Sequence, residues 1–323
     1  MSDFLMIAAG LVVLLIAGEA LLKGAVSIAN RMGLSKLLVG AVIIGFGTSM
    51  PEMTVSVGAA LKNAPEIALG NVVGSNIANI LLIIGVAAVL APLYVNAMAV
   101  RRDMCVMIGA SLLLCLLSAA GMLNAISGAA MVLMLVAYVA YGYHADRRAY
   151  AARPPADIGS DDDTAVKMHN AVAILLCLGG LAGLMGGAHL LVTGAVSLAR
   201  GFGISEAVIG LTIVAVGTSL PELATALVAS IRRQNDMVLG NILGSNIFNI
   251  LCIIGVTCLV KPIVAVGQLV ELDVWIMLGV VVFLSVFLWR GITIGRAAGA
   301  FMLALYTGYT LWLYLGVPAA PAL

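Results

Sequence analysis

The sequence predicts an all-α integral membrane protein, with ten transmembrane helices arranged as two inverted five-helix repeats. Three observations predict this fold. Of the 323 residues, 63% are hydrophobic and 10% charged, with a mean hydropathy of +1.17; a soluble domain is roughly 45–50% apolar and about 25% charged. Apolar runs recur along the whole chain at about the 20 residues a helix needs to cross a ~30 Å hydrocarbon core. A long motif studded with polar residues also occurs twice, 170 residues apart. Such a composition argues against a soluble enzyme, a nucleic-acid binder or a disordered scaffold. With 16 Lys and Arg against 15 Asp and Glu, there is no excess field to attract nucleic acid.

The candidate spans are about 4–29, 37–61, 67–91, 104–120, 122–143, 170–199, 207–231, 237–260, 270–289 and 297–316. The first follows Met1-Ser2-Asp3, which is no basic leader, and no small-residue cleavage site follows the run, so a retained span is expected. Only Gly121 and its neighbours divide the fourth run from the fifth. The interval 144–169 carries Pro154-Pro155 and Asp161-Asp162-Asp163, and reads as a hydrophilic linker. It separates a first unit, 1–143, from a second, 170–323. The five cysteines (Cys105, Cys115, Cys177, Cys252 and Cys258) lie in apolar runs without metal-ligand spacing, and are expected to be buried free thiols.

Cytoplasmic loops collect Lys and Arg. With the N-terminus outside, the inward loops hold Arg31, Lys36, Arg101, Arg102, Arg147, Arg148, Arg153, Lys167, Arg232, Arg233, Arg290 and Arg296. The outward loops hold only Lys62, Arg200 and Lys261. Lys23 is placed near the inner end of the first span, where a long side chain snorkels. This asymmetry fits ten spans, both termini outside and the linker in the cytoplasm. Membrane lipid is the expected surrounding.

The repeat then locates the chemistry. Residues 45–85, GFGTSMPEMTVSVGAALKNAPEIALGNVVGSNIANILLIIG, align without a gap on 215–255, AVGTSLPELATALVASIRRQNDMVLGNILGSNIFNILCIIG. Upstream, KGAVSIAN at 23–30 aligns with TGAVSLAR at 193–200. Five spans separate equivalent positions, so the copies cross the membrane in opposite directions. Inverted repeats of this kind place transporter substrate sites near the midplane.

Glu52 and Glu222 fall well inside spans 2 and 7. A charge at that depth costs at least ~2.5–3.5 kcal/mol on insertion scales, so it faces a partner or a polar cavity. A carboxylate neutralised by a proton or by helix packing is the bland alternative. Two at equivalent positions, with no Lys or Arg at similar depth, point to a cation as the missing countercharge. Pro51 and Pro221 each remove a helix hydrogen bond, and the nearby glycines loosen the backbone further. Thr48, Ser49, Thr218 and Ser219 add hydroxyl oxygens. In the second motif, Ser75 and Asn79, like Ser245 and Asn249, are four residues apart and share a helix face, with Asn71 and Asn241 one turn earlier. The Gly70/Gly74 and Gly240/Gly244 spacings read as close helix packing rather than phosphate binding. An all-oxygen set with two carboxylates suits Ca²⁺, which takes 6–8 oxygens, better than Mg²⁺ or a transition metal.

The paired GTSMPE and GTSLPE segments, each followed by GNxxGSNIxNI, resemble the two alpha-repeats of the cation/Ca²⁺ exchanger superfamily, in its prokaryotic Na⁺/Ca²⁺ exchanger branch. The resemblance takes in most of the chain. It implies that Glu52 and Glu222 are central Ca²⁺ ligands that also serve Na⁺. Thr48, Ser49, Ser75, Thr218, Ser219 and Ser245 would line flanking Na⁺ sites, with Asn79 and Asn249 between them, and the carbonyls of Gly45 and Ala215 would ligate ions. Some relatives, including K⁺-dependent exchangers, carry Asp where Asn249 stands, which argues against K⁺ dependence here. The GNAxE-type motif of H⁺/Ca²⁺ exchangers is absent.

The expectation is therefore an antiporter of the bacterial inner membrane that exchanges Na⁺ for Ca²⁺ by alternating access. It would be no enzyme, need no cofactor and work as a monomer. H⁺/Ca²⁺ exchange and a passive cation channel are the alternatives. An intramembrane hydrolase would need a narrower acid motif or a His-bearing metal site.

Overall fold

The computed structural model describes residues 3–152, 168–202, 215–264 and 267–316. They are helical throughout, joined by short turns, with one isolated β-bridge between Leu93 and Ile294. In chain order the helices are α1 Asp3–Met32, α2 Lys36–Thr48, α3 Met50–Leu61, α4 Pro65–Leu90, α5 Ala97–Ala119, α6 Ala125–Ala151, α7 Asn170–Gly201, α8 Ala215–Thr218, α9 Leu220–Ile231, α10 Asn235–Val260, α11 Leu269–Arg290 and α12 Arg296–Gly316. Local chemistry sets the ends. Ser35 caps α2 and Asn96 caps α5 through side-chain oxygens, Asn124 and Ser127 form a capping box at α6, and Pro65 opens α4 where its missing N–H costs nothing.

Seven helices (α1, α4, α5, α6, α7, α10 and α11) are long and apolar enough to cross a membrane, and the α2–α3 pair, bent by 46°, makes an eighth. The expected span 207–231 is described only from Ala215 onward. In α12, 21 residues long, Tyr306, Thr307, Tyr309 and Thr310 dilute the apolar character. Large apolar side chains such as Ile16, Leu133 and Leu175 are about two-thirds exposed, as a lipid-facing surface requires.

Two helices overrun their expected limits. Helix α5 starts at Ala97, seven residues before the predicted 104, because its polar first turns find partners: Arg102 pairs with Asp103, and Arg101 lies 5.2 Å over the Trp289 ring. Helix α6 runs to Ala151, so the polar interval 144–169 is helical in its first eight residues; residues 153–167 lie outside the described part. The cysteines also differ from expectation. Cys105 is exposed, and Cys252 is half-buried with its side chain packed against the core.

Helices α4 and α10 form the centre, with 78% and 83% of their apolar stretches buried against 33% for α1 and α7. Helix α1 runs antiparallel along α7, so close at Gly10 and Gly187 that a Cβ would strike the opposing backbone. The last helix of each sequence unit packs on the other unit: α6 lies on α10 through Gly128 and Gly255, and α12 on α4 through Gly299 and Gly85. The two units are thus interlocked in space.

Candidate ion-binding site

The two broken spans bring the glutamates together. Helix α2 stops at Thr48, and α3 restarts at Met50 with Pro51 in its first turn; α8 stops at Thr218 and α9 restarts at Leu220 with Pro221 likewise. Proline is tolerated in a first turn, where its N–H would be unpaired anyway. Each break therefore creates a new helix N-terminus inside the protein, with Glu52 or Glu222 in its first turn, where the helix dipole favours negative charge.

Both glutamates are 1% exposed. Their partners cross over: Ser49 Oγ donates to Glu222 Oε1 at 2.9 Å, and Ser219 Oγ donates to Glu52 Oε1 at 3.4 Å. No Lys or Arg forms an ion pair with either glutamate among the described residues. The same arrangement holds the backbone behind them. Asn71 Nδ2 donates to the Glu52 carbonyl (3.2 Å) and Ser56 Oγ (3.0 Å), while Asn241 Nδ2 donates to the Glu222 carbonyl (3.4 Å) and Thr225 Oγ1 (3.0 Å).

Asn79 and Asn249 complete the symmetric set. Each opens a π-helical stretch, Asn79–Ile84 and Asn249–Ile254, and such wide turns often mark functional positions. Asn79 Nδ2 donates to Asn246 Oδ1 and Asn249 Nδ2 to Asn76 Oδ1, both at 3.0 Å. Asn76 and Asn246 in turn donate to Met277 and Met107 sulfurs, each at 3.7 Å. The sequence reading missed Asn76 and Asn246 as parts of the site. Both stand in the repeated GSN triplet, but the four-residue spacing put Ser75 and Asn79 on the face of interest and left residue 76 off it.

Seven buried side-chain oxygens have no hydrogen-bond partner among the described residues, and four of them are Glu52 Oε2, Glu222 Oε2, Asn79 Oδ1 and Asn249 Oδ1. A buried acceptor left unpaired costs roughly 1–3 kcal/mol, more when charged. Two carboxylate and two amide oxygens, equivalent across the repeats and all acceptors, form a set that a desolvated hard cation satisfies. No group of three or more His, Cys, Asp or Glu is placed to hold a metal ion among the described residues, so the two glutamates share the set with neutral amide oxygens.

The flanking residues divide unequally. On one side the Gly45 carbonyl accepts from Thr48 Oγ1 (3.3 Å) and Ser245 Oγ (3.1 Å), and Thr48 Oγ1 also reaches Asn241 Oδ1 at 3.5 Å. On the other side Thr218 ends α8, and among the described residues the Ser75 hydroxyl, equivalent to Ser245, makes no such bond. The Gly240/Gly244 pair packs against Leu37 and Ala41 of α2 as the spacing predicted; at Gly70 and Gly74 a Cβ would meet no described atom within 4 Å.

The sequence profile of the sodium/calcium exchanger protein family matches residues 2–144 and 172–315. A relative named as an antiporter, CaxA of Alkalimonas amylolytica, is 37% identical over 94% of this chain and 96% of its own length. Inner membrane protein YrbG of Escherichia coli is 32% identical over 94% and 93%. A solved structure of the sodium-calcium exchanger NCX_Mj superimposes with a TM-score of 0.80 at 28% identity, covering 97% of this chain and 98% of that one.

Proposed function

This chain belongs to the sodium/calcium exchanger protein family, and on that premise we propose that it is a secondary antiporter exchanging Na⁺ for Ca²⁺ at one site between Glu52 and Glu222. Its membrane fold is that of the exchanger NCX_Mj, and cation/Ca²⁺ antiport is the family's activity. The observation that carries the finer reading is the symmetric set of four unpaired acceptor oxygens on Glu52, Glu222, Asn79 and Asn249. Two carboxylates balance one divalent ion, or two of several monovalent ones.

In this reading ten helices form two inverted repeats. Glu52 and Glu222 ligate Ca²⁺ and share in binding Na⁺. The hydroxyls of Thr48, Ser49, Ser75, Thr218, Ser219 and Ser245, the amides of Asn79 and Asn249 and the carbonyls of Gly45 and Ala215 supply the remaining oxygens. Without a cation, two carboxylates stand uncompensated in a low-dielectric passage, a state that opposes closure around them. Loaded forms pass this barrier, so the site alternates between the two faces carrying either Ca²⁺ or Na⁺. The Na⁺ gradient then draws Ca²⁺ outward across an inner membrane, the membrane that the relative inner membrane protein YrbG is named for. More than two Na⁺ per Ca²⁺ makes the cycle electrogenic, worth about 2.3 kcal/mol per net charge per 100 mV.

Radioactive Ca²⁺ uptake into proteoliposomes preloaded with Na⁺ and diluted into Na⁺-free buffer tests this. Uptake should need internal Na⁺, fail with K⁺ or Li⁺, and disappear in Glu52→Gln while that variant remains folded. Uptake driven equally by a proton gradient would reassign the coupling ion, and uptake indifferent to every counter-ion would make the protein a channel.

A further inference from the structure

A second buried charge cluster lies away from the glutamates. Asp103, fully buried near the start of α5, accepts from Arg102 Nε at 2.6 Å. The same guanidinium reaches Asp146 Oδ1 on α6 at 3.2 Å. The other oxygen of Asp146 accepts from both the backbone N–H (2.8 Å) and the hydroxyl (2.5 Å) of Ser35. Ser35 is the N-cap of α2, and its hydroxyl oxygen accepts from the Leu38 N–H at 3.1 Å. A continuous run of hydrogen bonds thus joins α5 and α6 to the first turn of the half-helix whose far end carries Gly45 and Thr48. The connection just before it is held by α6 as well: Arg147 donates to the Met32 carbonyl at the end of α1 at 3.1 Å, and the Tyr150 ring sits where a Cβ on Gly33 would stand.

We propose that Asp146, backed by Arg102, is a positioning residue for ion exchange, a latch that holds α2 against α10 and keeps that side of the passage closed. The inference rests on the exchanger reading. Three features support it. The side chains of Arg102, Asp103 and Asp146 are 20%, 0% and 13% exposed, shielded enough that breaking the pairing carries a cost that exposed ion pairs lack. Helix α2 meets α10 at Gly240 and Gly244 with no room for a side chain, so withdrawing it must pull on its Ser35 end. The latch is also one-sided in the sequence: Leu272 stands where the repeat offset places the counterpart of Arg102, and with Gly128 matched to Gly299 the counterpart of Asp146 is Val317, while Asp273, matched to Asp103, accepts from the Tyr309 hydroxyl at 3.2 Å. The repeat fold does not require it. A contact made in one state only biases the equilibrium toward that state.

The test is the half-saturating Ca²⁺ concentration at each face, measured in inside-out and right-side-out vesicles for the wild type, Asp146→Ala and Asp146→Glu. Removing the latch should populate the form open to the face that the Lys/Arg asymmetry assigns to the cytoplasm. Half-saturation there should fall about threefold or more, and should rise at the outer face, with the larger change on the side of the less populated form. Asp146→Glu should restore the wild-type ratio. A purely structural role would lower protein yield or the rate at both faces with the ratio unchanged, and that result would overturn the latch, as would shifts of the reverse sense. If Asp146→Ala does not accumulate, Ser35→Ala removes one of the two bonds that Ser35 makes to that carboxylate and should move the ratio in the same direction by less; an unmoved ratio again overturns the proposal. Absence of Na⁺-dependent uptake in the wild type would instead reject the exchanger reading.

Discussion

The segments preceding the two glutamates, 36–48 and 215–218, end in the same Gly-Thr pair, each followed by a serine, yet stand in different surroundings. Helix α2 is wedged against α10: Gly240 and Gly244 touch Leu37 and Ala41, Phe46 stacks on Phe248 at 4.6 Å, and the Gly45 carbonyl accepts from Ser245. Across the pseudo-symmetry, Gly70 and Gly74 of α4 are half-buried, and a Cβ there would meet no described atom within 4 Å. Between these unequal flanks the centre is symmetric, with glutamates, serines and asparagines pairing reciprocally. The difference separates two kinds of contact. In the proposed exchange cycle, those found in both halves belong to the site itself, and those found in one half belong to a single conformation.

The largest effect tests the symmetric centre. Glu222→Gln should abolish Na⁺-dependent Ca²⁺ uptake as completely as Glu52→Gln, by about a hundredfold or more, because either change leaves a single carboxylate for a divalent ion. A divalent-ion titration followed by thermal stability should show the same loss, since a ligand that binds only the folded form raises its melting temperature. If one glutamine variant retains transport, the glutamates are unequal and the symmetric reading of the centre fails.

The parts of the molecule legible in the sequence were those carried by periodicity, charge and repetition. Glu52 and Glu222 announced themselves as carboxylates in apolar runs, and the 170-residue offset paired them correctly. The Ser-to-Glu cross-over was out of reach, because it depends on how two distant half-helices face each other. Asn76 and Asn246 were missed because spacing along one helix says nothing about the opposing helix that receives the side chain. The α2–α3 bend was foreshadowed by Pro51, whereas the π-helical turns at Asn79 and Asn249 have no local signature in NILLII or NILCII. The interlocking of α6 with α10 and of α12 with α4 was equally hidden, since both sequence units look self-contained.

The next effect tests the unequal flanks. Gly244→Ala would drive a Cβ into the Ala41 backbone, an overpacking that costs about 1–3 kcal/mol, and should lower the melting temperature in detergent. Gly74→Ala meets nothing within 4 Å in the described structure and replaces a helix-interior glycine, a change that favours the helix by up to about 1 kcal/mol. It should leave stability unchanged or raised. Its effect should appear in transport instead: if the flanks exchange roles during the cycle, α8 must close on α4 as α2 closes on α10, and Gly74→Ala should slow exchange several-fold. A Gly74→Ala variant that is both stable and fully active would mean that α4 is never approached so closely, and the flanks would differ permanently rather than in turn.

The smallest effect lies in the two serines. Ser49 donates to Glu222 at 2.9 Å and Ser219 to Glu52 at 3.4 Å, near the outer limit of a useful hydrogen bond. A hydrogen bond to a charged group contributes about 1.5–3 kcal/mol at good geometry, so the shorter contact holds its carboxylate more firmly. If the conformation described here dominates in solution, Ser49→Ala should raise the half-saturating Na⁺ concentration about threefold more than Ser219→Ala, with the maximal rate changed less than either affinity. Equal shifts would carry their own lesson. They would mean that each serine spends comparable time in the short and the long contact, so that the 2.9 and 3.4 Å distances describe one half of a cycle in which the two repeats trade places.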